Sequence, residues 1–73
     1  MYVTKYRIHL MTGQVIHVAE GRTSKEAEKD LVDRFKEALP EGVLEIAHGS
    51  FPNAFIPVTN ILYISRVSEE FIP

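Results

Sequence analysis

The stretch from Gly21 to Gly42, GRTSKEAEKDLVDRFKEALPEG, decides what kind of fold this chain can adopt. Thr23 stands three residues before Glu26, the spacing of a capping box, in which a hydroxyl and a carboxylate each satisfy an orphan N–H at a helix start. Glu26, Glu28 and Asp30 suit the positive end of the helix dipole. Pro40 and Gly42 end the pattern. These signals predict a helix from about Ser24 to Leu39. At about 100° per residue, Ala27, Leu31, Val32, Phe35, Ala38 and Leu39 share one side. The pairs Asp30–Arg34 and Asp33–Lys36 lie at helix spacing on other sides, and Glu28 alone intrudes on the apolar arc.

Toward the N-terminus the period changes from helical to two. Tyr2, Tyr6, Ile8 and Leu10 alternate with Lys5, Arg7 and His9, as in a strand buried on one side. Thr12-Gly13-Gln14 supplies a turn, and Val15 to Glu20 resumes with Ile16 and Val18 against His17. Parity constrains the pairing, because a slip of one residue moves every side chain to the wrong face. A three-residue Thr12-Gly13-Gln14 loop, or a two-residue loop with a bulge, sets Leu10 opposite Ile16, Ile8 opposite Val18 and His9 opposite His17.

Beyond the helix, Val43 to His48 reads as a third strand with Leu44 and Ile46 on one face. Gly49-Ser50 breaks it, and Phe51 to Ala54 reads as a loop or irregular edge. Phe55 to Val58 is an edge strand at best, since Pro57 cannot donate to a ladder. Thr59-Asn60 marks a turn, Ile61 to Val67 a last strand, and Ser68 to Pro73 a tail. The expected fold class is α+β: a β-hairpin, a single amphipathic helix, then two or three further strands (ββαββ). The sheet is expected to be mostly antiparallel with the helix on one face, in one domain spanning residues 1–73.

Composition narrows function more than it names it. The 73 residues are 45% hydrophobic and 25% charged, with no cysteine and a net charge of −2. Disulfides and cysteine-based zinc sites are therefore excluded. The whole chain lacks the basic excess of a nucleic-acid binder. Its apolar runs fall far short of a membrane span, and the N-terminus lacks the layout of a signal peptide, so a cytoplasmic protein without a membrane partner is expected. In size and element order the chain resembles short bacterial and prophage proteins. That resemblance rests on layout and assigns no residue a role.

Each chemical motif meets a plainer reading. His9, His17 and His48 could chelate a metal across strands, but their spacing matches no metal motif, and they read as the polar side of a sheet. No serine sits in a nucleophile elbow, and the glycines Gly13, Gly21, Gly42 and Gly49 are spread one per turn, without a phosphate loop. Arg22, Lys25 and the Thr23-Ser24 helix start have only the anion affinity of any capped helix. No enzyme activity, catalytic residue, cofactor or metal is expected.

Two surfaces remain. Lys5, Arg7 and His9 form a candidate nucleic-acid face, weakened by tyrosines expected on the opposite, core-facing side. One helix covers only one sheet face, leaving Val3, Met11, Val15, Val43, Leu62, Ile64 and Val67 as candidates for the second. Phe51, Phe55, Ile56, Val58, Phe71 and Ile72 crowd the C-terminal third and are the candidate interaction residues. Unless that segment folds back over the second face, a monomer leaves a sizeable apolar patch in water. The expected function is thus a small non-enzymatic interaction or regulatory protein, acting as a homodimer or by docking to a partner protein. The alternative is a regulator that binds nucleic acid through the basic face of the hairpin.

Overall fold

In the computed structural model, which describes residues 1–22, 29–48 and 51–73, the alternating N-terminal stretch forms the central strand of an antiparallel sheet. Strand β1 (Tyr2–Leu10) lies between β2 (Val15–Arg22) and β5 (Ile61–Phe71). Helix α1 (Leu31–Ala38) follows β2, and β3 (Val43–His48) pairs with β4 (Phe51–Pro57) as a separate two-stranded sheet. A single 3-10 turn, Val58–Asn60, connects β4 to β5. The molecule is an α+β fold in which antiparallel strands flank one helix. Two sheets take the place of the single expected one, and Pro57 is tolerated because both strands of a two-stranded sheet are edges.

Tyr6, Ile8 and Val18 from one face of the larger sheet pack with Leu31, Leu44, Ile46, Val58 and Ile61. The helix and the β3–β4 hairpin thus share the work of closing that face. Leu44 and Ile46 fall on the buried side of β3 as their alternation predicts.

The first hairpin corrects the expected register. Ile8 pairs with Ile16, Tyr6 with Val18, Arg7 with His17 and His9 with Val15. Parity is kept, but the pairing lies two residues from the expected one, and His9 does not face His17. The reason is local. The Gly13 N–H donates to the Leu10 carbonyl at 3.0 Å, and the Leu10 N–H donates to the Gln14 carbonyl at 2.9 Å. This is a three-residue loop, Met11-Thr12-Gly13, whose last position is left-handed, and Gly13 occupies it with φ +94°.

The helix also begins later than its periodicity implies. Asp30 is an extended N-cap, not a helical residue, and the helix starts at Leu31. The Thr23/Glu26 capping box, together with Ala27 and Glu28, lies outside the described residues. The observed box uses Asp30 and Asp33: the Asp33 N–H donates to Asp30 Oδ1 at 2.9 Å, and the Asp30 N–H to Asp33 Oδ2 at 3.3 Å. At the other end Leu39 leaves the helix in extended conformation and is exposed. The Gly42 N–H caps the Ala38 carbonyl at 2.6 Å. A Cβ on Gly42 would lie 2.5 Å from that oxygen, so the close approach requires glycine.

The expected tail is strand. Strand β5 continues to Phe71, Glu70 pairs with Val3, and the Ile72 N–H donates to the Met1 carbonyl at 2.7 Å. Two irregularities leave Leu62 and Val67 without partners on β1, which are β-bulges. No helix among the described residues is long and apolar enough to cross a membrane.

Candidate functional site

The two faces of the β2-β1-β5 sheet carry different chemistry. On the closed face a polar clamp sits beside the apolar core. Tyr6 points inward from the middle of β1 and its hydroxyl donates to Asp30 Oδ2 at 3.1 Å. Arg66 reaches the same oxygen from β5 with Nη2 at 2.6 Å and Nε at 3.1 Å. One carboxylate therefore caps the helix with Oδ1 and ties it to two strands with Oδ2. Burial pushes the Asp30 carboxyl upward, but hydrogen bonds from the Asp33 backbone, Arg66 and Tyr6 outweigh it and hold the group at about 2. Burial and the neighbouring Asp30 charge raise the Tyr6 hydroxyl above its ordinary value. Arg34, expected beside Asp30, instead pairs with Glu20 of β2 at 2.5 Å. A cleft of about 520 Å³ opens between α1 and β3 next to this pair, lined by Glu20, Arg34, Glu37 and Glu45 among others.

The other face is open. Lys5 and Arg7 project from it exposed, and His17 joins them as the partner of Arg7 on β2. His9 pairs with Tyr63 of β5, and their rings stack at 4.1 Å with planes 17° apart. Tyr63 thus lies on the basic face, opposite to the expectation for the tyrosines. The register of β1 on β5, which no local motif encodes, decides this. Ser65 and Ser68 pair with Arg7 and Lys5, so the β5 side of the face adds hydroxyls rather than acids. A shallow groove of about 380 Å³ runs between Lys5, Arg7, His17, Ala19 and Val67.

The apolar residues expected on this second face divide differently. Ile64 pairs with Ile8 and packs against the core, and Val43 belongs to the smaller sheet. Val15, Leu62 and Val67 remain exposed, and Met11 stands out from the hairpin loop. The candidate interaction residues differ in exposure. Val58 is buried in the core and unavailable to a partner, and Ile56 is partly buried against it. Phe55 is exposed on β4, and the side chain of Phe51 lies outside the described residues. Phe71 is exposed near the end of β5 with its ring 5.0 Å from Tyr2, and Ile72 follows it.

Among the described residues no three His, Asp or Glu side chains converge on one point. The anion position considered at Thr23-Ser24 lies outside the described residues, and the described helix start is already filled by the Asp30 carboxylate. No family model, curated protein or solved structure matches the chain.

Proposed function

We propose that this is a small non-enzymatic interaction protein of regulatory type that works as a homodimer joined along β5. The supporting observation is the outer edge of that strand. Strand β5 runs for 11 residues and pairs only with β1 among the described residues, leaving its other side unpaired. Leu62, Val67, Phe71 and Ile72, all large and exposed, lie on this strand or directly after it. A long edge with apolar side chains is a template for strand addition.

Charge along this edge also suits a second copy, beside the pairs that Arg66 and Glu69 make with Asp30 and Arg22 within the chain. Arg66 and Glu69 both face the closed side of the sheet, through their pairing with Tyr6 and Thr4. A two-fold antiparallel pair centred between residues 67 and 68 sets each Arg66 across from Glu69 of the other chain. Opposite charges directly across strands stabilise such a pair. A domain of this size also gains from burying further surface, which association provides.

Sedimentation equilibrium tests the proposal. The expected result is a dimer at micromolar concentration that Val67→Lys converts to a folded monomer. A chain that stays monomeric at high micromolar concentration overturns it, as does a Val67→Lys protein that remains dimeric.

A further inference from the structure

We infer that the open face of the three-stranded sheet binds single-stranded nucleic acid, with Lys5 and Arg7 on the phosphates and the exposed Tyr63 ring against a base. The first argument is where the charges are. The chain carries a net charge of −2, yet along β1 and β2 the outward positions include Lys5, Arg7, His9 and His17 and no acid. On β5 the one acid of this face is Glu70, opposite Val3 at the far end from Tyr63. The surface is locally cationic on an acidic protein.

The second argument is which cations are already used. Arg22 pairs with Glu69, Arg34 with Glu20, Arg66 with Asp30 and Lys29 with Glu37. Arg7 and Lys5 have no carboxylate partner among the described residues. Arginines at structural positions in this fold are paired, and Arg7 is the one that is not. Its planar fork suits a phosphate.

The third argument is the aromatic platform. Tyr63 is 50% exposed and its ring stacks on that of His9, which holds it in place on the open face. Exposed rings on an antiparallel sheet stack unpaired bases, whereas a duplex keeps its bases stacked on each other. Lys5 and Arg7 are two residues apart on one strand, about 7 Å, so they can follow the backbone of an extended strand. The groove beside them has a small residue, Ala19, on its β2 wall. Ser65 and Ser68 offer neutral hydroxyls along the other side. The face lies within one chain, so it does not depend on the β5 dimer.

Fluorescence anisotropy with labelled oligo-uridine, oligo-thymidine and a duplex of equal length tests the inference. Binding of one or both single strands is expected, weaker for the duplex. Two phosphate contacts set a slope of about −1.4 in log K against log salt, at about −0.7 per contact. Tyr63→Ala is expected to weaken binding by about five- to a hundred-fold, and Tyr63→Phe by little, since stacking needs the ring and not the hydroxyl. Arg7→Glu should weaken binding strongly and adding Lys5→Glu should abolish it, while Lys36→Glu on the helix, the same change of charge as Arg7→Glu alone, should leave it nearly intact. The inference is overturned by no binding at low salt, by equal losses from the sheet and helix variants, or by Tyr63→Ala binding like the original. Equal or tighter binding to a poly-glutamate peptide or anionic vesicles would assign the face to another partner and overturn it as well. A monomer that binds the strands would retain this inference and discard the dimer.

Discussion

Within the nine residues of β1 the two faces of one sheet meet opposite surroundings. Thr4, Tyr6 and Ile8 point inward and are at most 1% exposed, while Lys5 and Arg7 between them stand in water. On the inward side the apolar groups touch the helix and the second hairpin, and the Tyr6 hydroxyl has a carboxylate. The outward side has cations without carboxylates and a stacked ring pair whose Tyr63 is half exposed. On the proposed reading, the difference lets a chain this small separate stability from recognition. Alternation assigns them to odd and even positions of the same strand, and neither set needs to compromise the other.

The largest expected effect contrasts two adjacent residues. Ile8→Ala removes a side chain that is 0% exposed at the centre of the core. It should destabilise the fold by about 2–5 kcal/mol. Arg7→Ala on the open side should change stability by no more than about 0.5 kcal/mol. Urea denaturation of both variants measures this. Similar losses from the two would mean that the open face is also structural.

The next effect tests the clamp through its ionisation. The folded Asp30 carboxyl titrates at about 2, below its ordinary 3.8. A depressed carboxylate stabilises the fold above its unfolded value, and that contribution is lost as pH falls from about 4 toward 2. The shift corresponds to roughly 2 kcal/mol. Asn remains a good N-cap, so Asp30→Asn should fold with less stability at neutral pH and lack this part of the acid transition. Denaturant midpoints at a series of pH values, for both proteins, measure it. An unchanged acid transition in Asp30→Asn would show that the clamp does not carry the pH dependence.

Much of this arrangement was legible in the alternation of residues 2–10, in the Leu44/Ile46 parity and in the stop at Pro40-Gly42. The helix start was not, because two cap-like patterns lie in one continuous amphipathic run. Asp30 and Asp33 form a box without the usual Glu or Gln at its third position. What selects Asp30 is its tie to Tyr6 and Arg66, residues 24 and 36 positions away. The stacked Tyr63 was hidden for a related reason. Its face depends on the β1–β5 register, with bulges at Leu62 and Val67, and an exposed bulge has no sequence signature of its own. Lys5, Arg7 and His9 were readable as one face because a single strand holds them. Their aromatic partner was not, because a strand more than 50 residues away supplies it.

The smallest expected effect concerns the turn that sets this face. Two hairpin registers keep the same parity, the observed one and the one that sets Ile8 opposite Val18, so the hydrophobic pattern alone does not choose between them. Gly13 does. In the observed loop it takes φ +94°, and a Cβ there would meet nothing within 4 Å. Gly13→Ala therefore adds no clash, and its cost is the left-handed backbone alone, about 1 kcal/mol. Asn, which tolerates that region better than Ala, should cost less. If the turn selects the register, the Ala variant weakens the observed pairing relative to its competitor, while the Ile8–Ile16 cross-strand nuclear Overhauser contacts persist in the Asn variant. Equal stability of the Gly13→Ala protein and the original would mean that the β1–β5 pairing already fixes β1, leaving the turn to follow.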